Sequence, residues 1–272
     1  MADTFRVGYA FSQKLIPQVF QDAGYAPVFL DGYNFSPASI DQADKQLLRR
    51  GLLFDKNGDV ASFYAIRSGD LMERVKLGKL DVILIGKDHY YNHHLKEDNT
   101  RILGTLPHAR TSVDVAKVEA WVTQDCPLQS LDDINSSYVI RAEIQNYAAR
   151  IMEEKGHKVL VRELNDETDP VGFRMQAKEG GAIPIEFVRG GLPQSLEQDE
   201  VGLVVSETGG TLKRNDCRSL GVVCTVEQLV VANLESLNNP EMGARLRKFN
   251  EDLINHHHEK EFEGNGIHGE RA

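Results

Sequence analysis

Residues 81–88 read Asp81-Val82-Ile83-Leu84-Ile85-Gly86-Lys87-Asp88. Successive side chains of a strand point to opposite faces, so an unbroken aliphatic run is covered on both. A doubly covered strand belongs in a sheet flanked by helices, the α/β arrangement. Both flanks agree. Upstream, Asp70 and Glu73 have the spacing of a start signal for a helix over 71–77, and Gly78 supplies its stop. Downstream, Lys87 and Asp88 put charge at the carboxyl end of a buried strand, where α/β proteins bind ligands.

Outward from this strand, short apolar runs alternate with helix-period stretches. Strands are expected at 6–10, 28–30 and 63–66. Ser12 reads as the cap of a helix with Leu15, Ile16, Val19 and Phe20 on its apolar face, closed by Gly24. Residues 31–59 are polar and read as an elaborated connection holding one helix at 40–50. Further strands are expected at 113–122, 138–141, 159–164, 183–188, 201–205, 220–224 and 229–232. Ser130-Leu131-Asp132-Asp133 marks a short helix. A longer one over 146–155 places Ala148, Ile151 and Met152 on one face. The last helix opens at Asn239-Pro240-Glu241 and carries Met242, Leu246, Phe249, Leu253 and Ile254 at helical spacing. The tail from Asn255 is polar and reads as frayed. The alternation predicts mainly parallel pairing.

The 272 residues include 31 Lys and Arg against 41 Asp and Glu, a formal net charge of −10. An acidic chain argues against nucleic acid and against an anionic membrane surface. It leaves a small phosphorylated ligand open, because such a ligand senses the local field. No apolar run approaches the roughly 18 residues of a membrane span. Asp3 interrupts the only place for a secretion signal, so the expected compartment is the cytoplasm. Cys126, Cys217 and Cys224 are odd in number and lack CxxC spacing, which suits a reducing cytosol.

The sharpest motif is Val204-Val205-Ser206-Glu207-Thr208-Gly209-Gly210-Thr211-Leu212-Lys213-Arg214-Asn215. A buried strand feeds a Thr-Gly-Gly-Thr turn at a helix start. Helix N-termini offer unpaired N–H groups and the positive end of the dipole, a good cradle for an anion. The two glycines allow close backbone approach, and Thr208 and Thr211 add hydroxyl donors. An ordinary strand–turn–helix cap is the competing reading.

The chain resembles the ATP phosphoribosyltransferase family. Glu207-Thr208-Gly209-Gly210-Thr211-Leu212 is similar to that family's phosphate loop. Arg67-Ser68-Gly69-Asp70 and the 81–88 stretch resemble its Arg-x-x-Asp helix and its Asp-rich strand end. Leu106-Pro107-His108-Ala109-Arg110, Asp125–Asp133 and the helix from Asn146 to Gly156 follow in the family's order. The resemblance covers most of 61–235. It implies a two-lobed periplasmic-binding-protein-like fold with a cleft between lobes. Lobe I would hold 1–112 plus 224–272, and lobe II 113–223 with the phosphate loop.

It also implies phosphoribosyl transfer from phosphoribosyl pyrophosphate to a nitrogen base such as that of ATP, the entry to histidine biosynthesis. Pyrophosphate is released and Mg²⁺ is implied as cofactor. Arg67 and Arg110 would be the catalytic cations facing phosphates, and Glu207–Leu212 would hold the 5-phosphate. Ser12, Asp88 and Arg141 are further candidates; no metal-ligand set is read. A homo-oligomer is expected. Solvated or ion-paired arginines are the plain alternative, above all for Arg141, Lys213 and Arg214.

Two departures fall in the pocket. The family's basic first loop is matched by Phe11, Ser12 and Gln13, which carry no charge. Its ribose-binding Asp is matched by Val204, which accepts no hydrogen bond. Three outcomes stay open: the same reaction, transfer to another base, or a non-catalytic binding or regulatory protein on the same scaffold. His89 and His93 stand four apart, as two metal ligands on a helix would, but no third ligand is identified. His256–His258 and Arg189-Gly190-Gly191 receive no function. Trp121, Tyr90 and Tyr91 could stack on a base, with core packing the default.

Overall fold

Strand β1 (Phe5–Ala10) is buried at all but Arg6, and it runs through the middle of the first sheet. It pairs in parallel with β4 (Gly58–Ile66) on one side and β5 (Val82–Gly86) on the other. The computed structural model describes residues 4–10, 16–29, 49–55, 58–93, 99–106, 116–162, 169–188, 192–206 and 215–265. The chain divides into two units, Met1–Val113 with Glu227–Ala272, and Asp114–Val226.

In the first unit, β2 (Ala26–Phe29), β3 (Arg49–Asp55), β6 (Thr100–Leu106) and β13 (Gln228–Asn233) complete a sheet in the order β2-β3-β4-β1-β5-β13-β6. The run of 82–85 explains the layering. Val82 and Leu84 join one core cluster with Phe5, Phe20, Phe63 and Phe249, while Ile83 and Ile85 join another with Leu71, Met72, Val75 and Tyr90. Helices α1 (Ile16–Asp22) and α7 (Pro240–Asn265) supply the first cluster; α2 (Ser68–Lys76) and α3 (Lys87–His93) supply the second. The first is aromatic, with Phe5 edge-on to Phe249 at 5.2 Å and Phe29 edge-on to Phe63 at 5.0 Å. Such pairs add to plain area burial.

The second unit has the sheet order β12-β7-β11-β8-β10-β9. Its strands are β7 (Ala116–Thr123), β8 (Val139–Ala142), β9 (Val159–Val161), β10 (Ile183–Phe187), β11 (Glu200–Ser206) and β12 (Cys217–Val226). Helices α4 (Gln145–Glu154) and α5 (Pro170–Glu179) pack on it, and Leu131–Asp133 forms a 3-10 turn closed by a Ser130–Asp133 capping box. The short α6 (Leu234–Asn238) links β13 to α7 in the first unit. No described helix is long and apolar enough to cross a membrane.

Several expectations are corrected. Pairing is mixed, because β2-β3-β4 is an antiparallel meander and β13 returns antiparallel to both β5 and β6. Residues 49–55 form a core strand with Leu53 fully buried, so the helix expected at 40–50 does not extend through Arg49–Arg50; its remainder, 40–48, lies outside the described residues. Helix α2 starts at Ser68 with Arg67 as cap residue, so Asp70 sits inside the first turn, where an acid complements the dipole. The stretch 166–198, read from the resemblance as an elaboration, contains α5, capped by Asp169 accepting from the Gly172 N–H. Helix α7 continues to Asn265 instead of fraying at Asn255.

Candidate functional site

The register brings the strands that precede the expected site residues of the first unit to one sheet edge. Ala10 lies beside Ile66, and Tyr9 beside Leu84. Gln228 pairs with Gly86 on one side and with Leu106 on the other. The strand ends Ala10, Ile66, Gly86 and Leu106 therefore form a row. Ser12, Arg67, Asp88 and Arg110 each follow one of these ends, within four residues along the chain. Ser12 and Arg110 themselves, with Phe11 and Gln13, lie outside the described residues.

Arg67 is exposed, adopts an extended φ/ψ of −67°/142° and makes no capping hydrogen bond. Among the described residues its guanidinium has no ion-pair partner. The cation that follows β5 is committed: Lys87 Nζ donates to Glu227 Oε2 at 3.1 Å, and its backbone N–H donates to the Glu227 carbonyl at 2.9 Å. Asp88 is 6% exposed in the first turn of α3, with Oδ2 4.0 Å from His89 Nε2. The His89 and His93 rings are parallel, with centroids 6.4 Å apart. Burial, then the proximity of His89 and Lys76, holds the His93 imidazole below its usual pKa, with Asp88 opposing. Lys76 Nζ also donates to the His93 carbonyl at 2.7 Å. Among the described residues, no three His, Cys, Asp or Glu side chains gather to hold a metal ion.

In the second unit, Ala142 is the register partner of both Phe187 and Leu203. Strand β11 continues past that row to Ser206, and Glu207–Leu212 come next, outside the described residues. Helix α4 begins near the same strand ends with Ile144 at its cap, no capping side chain and no acid in its first turn. Its positive end is therefore uncompensated from within the helix.

Arg141 is engaged. Its Nη1 lies 2.7 Å from Glu200 Oε1 and 3.5 Å from Glu186 Oε2. Arg174 from α5 reaches both acids, with Nε 2.8 Å from Glu186 and Nη2 3.0 Å from Glu200. Hydrogen bonding to Glu186 dominates, against burial, in raising the Arg174 pKa, and the charges of both acids add to it. The four charges balance on one face of β8, β10 and β11. Glu186 inside the apolar run of β10 was the sequence signal for this network, since an acid in a buried strand needs cationic partners.

Val204 is half-buried in β11 and stands directly across from Glu119 in β7. Directly opposed residues of an antiparallel pair share a face. Glu119 also opposes Val222 of β12, and among the described residues its carboxylate has no partner. Single-strand reading missed Glu119, because only the β7–β11 register brings it to Val204. Trp121 and Tyr90 are core residues, at 1% and 3% exposure.

No family model matches the sequence, and no curated protein matches it. Solved structures do. The ATP phosphoribosyl transferase (HisG:HisZ) complex from Thermotoga maritima matches with a TM-score of 0.55 at 15% identity, over 93% of this chain and 100% of that one. The fold is that of the two-lobed periplasmic-binding-protein type. The alkanesulfonate-binding protein SsuA from Xanthomonas axonopodis pv. citri, bound to MOPS, matches at TM-score 0.49 and 10% identity, over 97% of this chain and 76% of that one. A periplasmic substrate-binding protein of an ABC transporter from Coxiella burnetii matches at TM-score 0.44 and 10% identity, over 97% and 98%. At these identities the likeness concerns the fold alone.

Proposed function

We propose that this chain is a cytoplasmic, homo-oligomeric phosphoribosyltransferase that joins phosphoribosyl pyrophosphate to a nitrogen base such as that of ATP. The observation that carries the reading is the shared sheet edge. Arg67, without an ion-pair partner among the described residues, and Asp88, buried, follow the ends of β4 and β5, the two strands that flank β1, in the arrangement that α/β proteins use for ligands. Such a transfer needs no covalent nucleophile. Positive charge develops on the ribose as pyrophosphate leaves, so the protein's work is orientation and electrostatic support. Arg67 and Arg110 would bind phosphate oxygens, and Glu207–Leu212 the 5-phosphate through backbone N–H groups. Mg²⁺ would arrive on the pyrophosphate oxygens, with Asp88 the carboxylate available at that edge.

Glu119 supports turnover despite Val204. It offers a carboxylate on the same face, directly across the ladder, where ribose hydroxyls would need an acceptor. Glu119→Gln should therefore lower kcat/KM for phosphoribosyl pyrophosphate about 10- to 100-fold, the worth of a hydrogen bond to a charged group. Steady-state kinetics on the folded variant check this; unchanged kcat/KM removes Glu119 from the site.

The second reading is a non-catalytic binding protein for a small phosphorylated ligand, favoured by the uncharged Phe11–Gln13 segment. One experiment separates the two. The protein is screened by thermal shift against phosphoribosyl pyrophosphate, ATP, AMP and phosphate, then assayed for Mg²⁺-dependent pyrophosphate release. Release with a base present supports transfer. Stoichiometric binding without release supports the binding protein, and the absence of any stabilisation defeats both.

A further inference from the structure

At the far end of the first sheet from Arg67 and Asp88, a cavity of about 330 Å³ opens between β6, α6 and α7. Thr100 pairs with Asn233 there, whereas Leu106 pairs with Gln228 at the candidate-site edge. The cavity is lined by Arg101, Ile102, Leu103, Leu237, Arg247, Asn250 and Glu251. Its volume is at the lower end of the range for small-molecule pockets.

The local structure builds this pocket. Ile102 pairs with Val231 and Gly104 with Val230, so Leu103 is an extra residue, a bulge in the edge strand. Bulges bend a strand and re-aim its groups. The Leu103 carbonyl is taken up by Asn250 Nδ2 at 3.3 Å. Because that partner is an acceptor, the orientation of the amide is fixed. Asn250 Oδ1 is left buried without a hydrogen-bond partner among the described residues, in a side chain only 9% exposed. Gly104 permits the approach: a Cβ there would lie 2.6 Å from that oxygen.

Arg247 and Glu251 are four residues apart on α7, the spacing that closes an ion pair elsewhere in this protein, at Lys248–Asp252 (2.6 Å) and Arg150–Glu154 (3.0 Å). Among the described residues, Arg247 and Glu251 form no such pair, and neither does Arg101. All three residues line the cavity.

We propose that this pocket is a second small-molecule site, for a short aliphatic carboxylate bearing a hydroxyl or ammonium group. Arg101 and Arg247 receive the carboxylate. Glu251 accepts from the ligand's donor, with Asn250 forming the polar wall beside it. Leu103 and Leu237, on the sheet face that α7 covers, lie against the aliphatic body.

The test is an amide-resolved NMR titration of the full chain with 2-hydroxyisovalerate, with valine, and with isovalerate, which lacks the donor. The expected result is saturable shifts at Ile102, the Asn250 side chain and Glu251 with one of the first two, and binding of isovalerate at least about tenfold weaker. Arg101→Gln and Arg247→Gln, both at exposed positions and so expected to leave the melting temperature unchanged, should each weaken binding about tenfold or more. The proposal is overturned if no probe saturates by about 10 mM. It is also overturned if isovalerate binds equally well, or if the variants bind like the native protein. Shifts at these residues that depend on protein concentration and not on probe would instead identify a second copy of the chain as the occupant, and would overturn it too.

Discussion

Asp81 shows how one side chain holds three elements. It is 3% exposed and accepts from the Arg6 backbone N–H at 2.7 Å, from Arg6 Nε at 2.9 Å and Nη2 at 2.8 Å, and from Ser236 Oγ at 2.7 Å. Burial pushes its pKa upward, but the hydrogen bonds from Arg6 and Ser236 and the Arg6 charge outweigh that and hold it below the usual value. A carboxyl with a depressed folded pKa stabilises the protein fully above its unfolded value, near 3.9, and loses that stabilisation as pH falls through the folded value. Asp81→Asn keeps the shape and removes the charge. It should cost roughly 1–3 kcal/mol at pH 7, discounted because Arg6 is partly exposed. The difference from the native protein should shrink below about pH 4. Urea melts at the two pH values check this; a gap independent of pH would show that the charge does not matter.

At the scale of elements, legibility followed whether the signal was local. The 82–85 run, the amphipathic helix read at 146–155 and the Ser130–Asp133 turn carry their patterns within a few residues, and each formed within one residue of where it was read, the helix at Gln145–Glu154. Strand β3 did not announce itself. Arg50-Gly51-Leu52-Leu53 fits either period, and its strand character comes from pairing with β2 and β4. Helix α5 was masked by Val171 and Met175, apolar residues that are 63% and 58% exposed and blur its buried stripe of Phe173 and Ala177. The site divides in the same way. Strand ends were visible, but Glu119 opposite Val204 and Arg174 beside Glu186 depend on contacts between strands and helices. The β3 reading yields a test. A Cβ at Gly51 would lie 2.2 Å from the Val28 carbonyl oxygen and 2.4 Å from Phe63 Cζ. Backbone and a buried ring cannot both yield, so Gly51→Ala should destabilise by about 1–3 kcal/mol. Hydrogen exchange should then show the loss concentrated in 26–29 and 49–55, whereas a uniform loss would mean that the β2–β3 pairing is not the weak point.

For the whole molecule, the chain order makes the two units unequal. The first is interrupted: its sheet needs β13, which arrives only after Asp114–Val226 has been completed. Lys87 receives the returning chain at Glu227 through a backbone and a side-chain bond. The second unit is continuous and draws every strand of its sheet from itself. Its interior holds Val118, Ala120, Trp121, Ile140, Ile185 and Val201, each at most 1% exposed. The ion network of Arg141, Arg174, Glu186 and Glu200 is also internal to it. A continuous segment of this size with its own core and balanced buried charges has what an independent domain requires. Residues 114–226 expressed alone should therefore fold cooperatively, with dispersed amide signals and a single urea transition. Within that fragment, Glu200→Leu should cost about 3–5 kcal/mol, because it strands two guanidinium groups beside a lone Glu186. A fragment that stays unfolded at neutral pH would show that the second unit's stability is borrowed from the first. A folded fragment indifferent to Glu200→Leu would show that the network contributes balance without stability.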